Sequence, residues 1–213
     1  SFSVADYQSL ADAAIAEIHE RGKRLLVVGG AGLYFRALVD GLFAGPGADS
    51  TIREKLQREA DENGAVVLHE RLHRCDPESA ARIHPNNLIR VIRALEVYEL
   101  TGKPISELQG QWKCSEARYA LRAFGLNMPR ERLYEQIESR VDQMVAGGLI
   151  EEVKKILDEG YSRDCVVMQS FGYKEIIDYL DGKLTLDEAI ALLKQNTRQF
   201  AKRQLTWFRG DPR

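Results

Sequence analysis

Arg24-Leu25-Leu26-Val27-Val28-Gly29-Gly30-Ala31-Gly32-Leu33-Tyr34 is the stretch that decides the fold. Its apolar run is short, continuous and stopped by glycines, the pattern of a strand buried on both faces that opens into a tight turn. Upstream, Ser3 and Asp6 form a helix-start capping pair, and Tyr7, Leu10, Ala14, Ile15 and Ile18 recur at helical spacing until Gly22. Downstream, Leu33 to Val39 reads as helix. Helix, buried strand and helix in this order are a piece of an α/β sheet of the βαβ kind. A second strand is expected at Tyr119 to Asn127, where bulky apolar residues alternate with others. Two parallel strands cannot make a covered sheet, so further strands are expected before Ser1.

The remainder reads as helices. Gly45-Pro46-Gly47 marks a boundary, Thr51-x-x-Glu54 is a capping box, and the helix from Ile52 to Glu62 stops at Asn63-Gly64. Asp76-Pro77 offers an N-cap and a first-turn proline, and Asn86 or Asn87 caps a helix whose Val91, Leu95, Val97 and Tyr98 form an apolar face up to Gly102. Pro129 opens a long helix that runs to Gly147-Gly148, a further one spans Ile150 to Glu159, and Gly160 closes it. Thr185-x-x-Glu188 precedes a last helix with Leu193, Thr197, Phe200, Gln204 and Trp207 along one stripe. The expected architecture is α/β but helix-dominated: a core of residues 1–44 and 113–213 with few parallel strands, and a helical insert over 45–112.

The chain has 213 residues, 44% apolar and 29% charged, with a formal net charge of −2. That is an ordinary globular composition, with no run long enough to span a bilayer and no signal peptide. Cys75, Cys114 and Cys165 are too scattered for a zinc site or a disulfide framework, and are expected to be reduced thiols of a cytoplasmic protein. Charge is uneven: Lys194, Arg198, Lys202, Arg203, Arg209 and Arg213 crowd the end of the chain against Asp211 alone. A polyanion can therefore be held on one face despite the balance.

Four constellations can carry chemistry, each with a plainer reading beside it. The glycine turn brings backbone N–H groups and a helix dipole to an anion, or is only a tight connection. In Ile83-His84-Pro85-Asn86-Asn87-Leu88-Ile89-Arg90-Val91-Ile92-Arg93, the two arginines share a helix face and suit neighbouring phosphates, or Arg93 pairs with a nearby glutamate. Gln169-Ser170-Phe171-Gly172-Tyr173-Lys174 can stack on and read an unpaired base, or Phe171 and Tyr173 are core. Arg198, Lys202 and Arg209 form a ridge beside the apolar stripe, for phosphates or for solubility.

Together and in order, these segments resemble the bacterial tRNA dimethylallyltransferases, also called isopentenylpyrophosphate:tRNA transferases. The family's GGTGLY turn, HPN…R…RALEVY helix, GYKE or GYRQ loop and TRQxAKRQxTWFR helix all have counterparts between Ser1 and Arg209. The resemblance implies a P-loop kinase-like nucleotide-binding core whose insert embraces a tRNA anticodon stem-loop. It implies transfer of a dimethylallyl group from dimethylallyl diphosphate to N6 of the flipped-out adenine at position 37, in tRNAs reading codons that begin with U. Mg²⁺, held mainly by the P-loop and the diphosphate, is the implied cofactor, and a cytoplasmic monomer is expected.

Carried onto this sequence, the resemblance places Gly29, Gly30, Gly32 and Tyr34 along the diphosphate channel and gives Arg140 the arginine that reaches the diphosphate. The tRNA contacts fall on Ile89, Arg90, Val91, Ile92 and Arg93, on Gln169, Ser170, Phe171, Gly172, Tyr173 and Lys174, and on Arg198, Lys202, Arg203, Gln204, Thr206, Trp207 and Arg209. Ala31 stands at the catalytic position where the family has a threonine, and Asn87 where it has an acid. The family's GxTxSGKT loop and DSxQ segment, with the proton-accepting aspartate, are expected before Ser1, and residues 1–213 alone are expected not to catalyse. Two other readings are an isopentenyltransferase or kinase acting on free adenine nucleotides, and a non-catalytic RNA-binding fragment.

Overall fold

The structure, a computed structural model, describes residues 2–42, 45–110 and 118–211. Trp112, the expected end of the insert, Cys114 and Arg213 lie outside them. Contacts divide the chain into a unit of residues 3–27 and 33–121 and a unit of residues 1–2, 28–32 and 122–213. This grouping does not follow the boundaries expected at 44 and 113, because the first two helices fall with the insert.

The first unit starts with α1 (Val4–Glu20), whose capping box has Ser3 accepting from the Asp6 N–H while the Asp6 carboxylate accepts from the Ser3 N–H at 2.8 Å. Next comes α2 (Gly32–Asp40), and Tyr34 stacks on Tyr7 of α1 with ring centroids 4.4 Å apart. Asp12 of α1 accepts from the Tyr119 hydroxyl and from Arg118, each at 2.6 Å, and Arg118 also donates to the Leu38 carbonyl at 2.9 Å. These bonds fasten residues 118–119 to the first two helices.

The insert contributes α3 (Ser50–Asn63), α4 (Ala65–Cys75), α5 (Pro77–Arg82), α6 (Leu88–Thr101) and α7 (Ile105–Gly110). The cap of α3 is Asp49, which accepts from the Ile52 N–H at 3.0 Å, rather than the expected Thr51. Leu56, Leu68, Leu72, Val91, Leu95 and Val97 make a continuous apolar core. Two acids are buried with it. Asp76 caps α5 through the Ser79 N–H and accepts from Ser106 at the start of α7. Glu96 accepts from the Asp49 N–H at 2.7 Å, from Arg53 at 2.9 and 3.1 Å and from Arg93 at 2.7 Å. Burial pushes the Glu96 carboxyl up, but the two arginines and the amide outweigh it and hold it below the ordinary glutamate range.

The second unit holds α8 (Arg130–Ala146), α9 (Leu149–Asp158), α10 (Tyr173–Leu180) and α11 (Leu186–Arg209). Val141, Val153, Met168, Ile176 and Leu193 form its core. Buried Glu175 accepts from the Gly172 N–H at 2.8 Å and from Asn196 of α11 at 2.6 Å, so it ties the start of α10 to α11. Lys194 pairs with Asp142 at 2.6 Å and Arg198 with Glu138, which pins α11 to α8.

Neither expected strand forms among the described residues. Residues 23–31 and 120–129 have no regular secondary structure and join no strand ladder there. Leu26 and Val28 are 84% and 85% exposed, and Phe124 and Leu126 are exposed too. An apolar run becomes a strand only when a neighbouring chain accepts its hydrogen bonds, and none among the described residues does so.

Replacing Glu96 by Gln removes the charge that both arginines face. The expected loss is about 3 kcal/mol, the low end for a broken buried pair, because Arg53 and Arg93 are 45% and 31% exposed and can rehydrate. A depressed folded-state value stabilises above the unfolded pKa of about 4.3 and is lost as pH falls through it. Thermal unfolding between about pH 5 and pH 3 is therefore expected to fall less steeply in E96Q than in the unchanged protein. Parallel curves would show that Glu96 does not titrate in that window.

Candidate nucleic-acid interface

The helix α6 separates its five expected contacts. Its apolar face turns Val91 and Ile92 into the core, so of the five residues these two have buried side chains. Ile89 and Arg90 are exposed. Arg93 turns back onto Glu96 and also donates to the carbonyls of Pro46 at 2.8 Å and Gly47 at 3.3 Å. The two arginines are therefore not an equivalent pair: Arg90 faces solvent, and Arg93 fastens the Gly-Pro-Gly turn to the helix.

In the second unit the glycine turn lies against α11. Gln204 donates to the Gly30 carbonyl at 2.9 Å. A Cβ at Gly30 would collide with the Gln204 amide, and one at Gly32 with the Trp207 indole. At Gly32 the indole ring of Trp207 leaves no room for a side chain, whereas at Gly30 the neighbour is the movable end of Gln204, so only Gly32 is demanded by the close approach. Around Gly29 nothing lies within 4 Å of an added Cβ, so its backbone is open to a ligand. Ala31 is exposed beside it.

Arg140 is exposed on α8 and forms no hydrogen bond or ion pair among the described residues. The nearby acid Glu138 is taken by Arg198, which removes Arg198 from the exposed ridge. Lys202, Arg203 and Arg209 remain on the surface of α11. The loop before α10 is built by Gly172, at φ +96°, where an L side chain is strained. It leaves Gln169, Ser170, Phe171 and Lys174 exposed. Gln169 donates to the Arg163 carbonyl at 2.8 Å, the Ser170 hydroxyl to Val167 at 2.6 Å, and Lys174 pairs with Asp178 at 3.0 Å. Tyr173 is half-buried, with its hydroxyl on Glu152.

Phe171 and Phe200 lie 5.6 Å apart, and the Arg203 guanidinium sits 5.9 and 5.8 Å from their ring centroids. The expected apolar stripe of α11 is thus inward only at Leu193, while Phe200 and Trp207 keep more than a third of their surface in solvent. Phe200 and Glu96 carry weight that the motifs did not assign. The signal for Glu96 was available: one acid inside Val91-Ile92-Arg93-Ala94-Leu95-Glu96-Val97 needs a buried partner.

No helix among the described residues is long and apolar enough to cross a membrane, and no three His, Cys, Asp or Glu side chains converge as metal ligands there. Among known proteins, residues 1–211 match the family described as IPP transferase. The tRNA dimethylallyltransferase of Geobacter sulfurreducens is 49% identical over 212 residues, 100% of this chain and 68% of the relative. That of Carboxydothermus hydrogenoformans is 52% identical over 213 residues, again 100% of this chain and 68% of the relative. The solved full-length tRNA isopentenylpyrophosphate transferase of Bacillus halodurans superposes with a TM-score of 0.66 at 49% identity, over 100% of this chain and 65% of that one. A eukaryotic dimethylallyltransferase solved acting on tRNA gives a TM-score of 0.70 at 29% identity, over 97% of this chain and 52% of that one. The chain thus spans about two thirds of the first two relatives and of the Bacillus structure, and it belongs to the IPP transferase family.

Proposed function

We propose that the protein containing this chain transfers a dimethylallyl group from dimethylallyl diphosphate to N6 of adenine 37 in tRNAs reading codons that begin with U. The observation that carries the reading is the unbroken family match over residues 1–211, which takes in all four constellations at once. In the reaction the N6 lone pair forms a bond to C1 of the allyl group, the C1–oxygen bond breaks, and diphosphate leaves with the electron pair. N6 then gives up a proton to a base. Cations held in place beforehand lower the barrier by meeting the charge that develops on the diphosphate.

Arg140 suits that role because no carboxylate among the described residues competes for it. The open backbone at Gly29 suits close approach of the same anion. Mg²⁺ takes one or two carboxylates with phosphate oxygens and water; the described residues present no metal-ligand cluster, and we assign it no ligand and no step here. For tRNA we favour exposed Arg90 with Lys202, Arg203 and Arg209, and Phe171 with Gln169 for an unpaired base. The reading includes a P-loop kinase-like core in which the stretches 24–30 and 119–127 become paired strands, since their exposed apolar side chains call for cover. A monomer working in the cytoplasm, where tRNA is available, completes it.

The full-length protein is expected to move label from dimethylallyl diphosphate into unmodified tRNA. Label entering free AMP but not tRNA would mean a small-nucleotide enzyme, and binding of tRNA without transfer a non-catalytic RNA-binding protein.

Arg90 and Arg93 are expected to part company when replaced by alanine. R90A lowers tRNA affinity and flattens the log–log salt slope by about one unit, the loss of one phosphate contact, while its stability stays within about 0.5 kcal/mol. R93A instead destabilises the insert by about 1.5–3 kcal/mol, because buried Glu96 loses a charged donor. Filter binding across a salt series, paired with thermal melts, checks both. A folded R90A with an unaltered slope takes Arg90 out of the interface.

A further inference from the structure

In the second unit Arg163 is matched by Asp181, Lys194 by Asp142, Arg198 by Glu138, and Lys174 and Lys183 by Asp178, while the other cations have no ion pair among the described residues. One cleft gathers three of these unpaired cations. It lies between the first turn of α8 and the last turns of α11, holds about 560 Å³, and has Arg130, Lys202 and Arg209 in its lining with Tyr134, Leu205 and Thr206. No carboxylate lines it, and none of the three cations has an ion pair among the described residues.

Arg130 is held in place although exposed. Its Nε donates to the Tyr134 hydroxyl at 3.0 Å, and its guanidinium lies 5.0 Å from the centre of that ring. The tyrosine hydroxyl accepts in this bond, which leaves its own hydrogen free to donate. Lys202, Thr206 and Arg209 recur at helical spacing along about 10 Å of α11. Three like charges around one cleft repel each other, and a bound anion relieves that repulsion. The apolar floor of Met128, Pro129 and Leu205 suits a sugar beside the phosphate better than a bare ion.

We infer that this cleft holds a phosphodiester of the bound RNA strand, gripped by Arg130 from α8 opposite Lys202 and Arg209 from α11, with Tyr134 as the positioning residue for Arg130. The inference rests on the tRNA-binding reading above, because two of the three cations belong to the row assigned there to RNA. It adds a contact outside the four constellations, on a helix otherwise assigned only to the diphosphate.

The test uses full-length protein, unmodified tRNA across a salt series, and the Michaelis constants of both substrates. Arg130→Gln is expected to weaken tRNA binding several-fold and to lower the salt slope by about one unit. Arg130→Lys should recover the slope, Tyr134→Phe should weaken affinity at an unchanged slope, and the KM for dimethylallyl diphosphate should not move. As a readout independent of any variant, tRNA should protect Arg130 of the unchanged protein from phenylglyoxal, and dimethylallyl diphosphate should not. Unaltered tRNA affinity and slope in R130Q, without protection by tRNA, would overturn the proposal in favour of solvated cations. A raised KM for dimethylallyl diphosphate with unaltered tRNA binding would overturn it in favour of a diphosphate site. If the unchanged protein neither binds nor prenylates tRNA, the underlying reading fails; if it does both and R130Q matches it, only the cleft fails.

Discussion

Burying an ionised carboxylate costs several kcal/mol unless donors surround it, and Glu96, fully buried in the middle of α6, is surrounded by four hydrogen bonds. Each donor comes from a segment that has to be somewhere definite. The Asp49 amide brings the cap of α3, Arg53 its first turn, and Arg93 the Gly45-Pro46-Gly47 turn through the Pro46 and Gly47 carbonyls. The rotation of α6 about its axis is then fixed, because a rotation that exposed Val91, Leu95 and Val97 would also strand the carboxylate. Arg90 faces solvent as a consequence of this constraint.

The second unit solves a similar problem with a different acid. Glu175, buried in the first turn of α10, accepts from the Gly172 N–H and from Asn196. That bond pair shapes the loop whose exposed side chains include Gln169 and Phe171, and it fixes α11 beside it. Along α11 the roles then change. Lys194 and Arg198 neutralise acids of α8, Gln204 and Trp207 meet the glycine turn, and only Lys202, Arg203 and Arg209 are left to face outward. Charge that the fold has already consumed cannot also serve a ligand, so pairing as well as number decides which cations of α11 are open to one.

Helix ends were legible in the sequence because their causes are local. Ser3, Asp76 and Thr185 each cap within three residues of themselves, and their helices begin where those pairs predict. The strands were not legible as strands in this chain because pairing is a property of two segments. Leu25-Leu26-Val27-Val28 carries the right side chains, but they lie in solvent with no ladder beside them among the described residues. The site was legible as motifs and less so as roles. The spacing of Arg90 and Arg93 is three, as is that of Arg93 and Glu96, and nothing local says which neighbour Arg93 prefers. Burial decides it: an exposed arginine gains little from a second arginine, while a buried carboxylate requires donors.

The same competition explains why Val91 and Ile92 could be quoted inside a recognition motif and still be core. A helix that presents one face to RNA must present the opposite face to its own domain, so a contiguous run of five residues cannot all reach a ligand. What such a run specifies is an orientation, and only the one or two side chains on the outer face are open to a ligand. In α6 the exposed ones of the five are Ile89 and Arg90. In α11 Lys202, Arg203 and Arg209 are exposed, while Gln204 and Trp207, between them in sequence, also meet the glycine turn. Residues adjacent in one motif can thus serve the assembly of the fold or its surface, and only geometry separates the two.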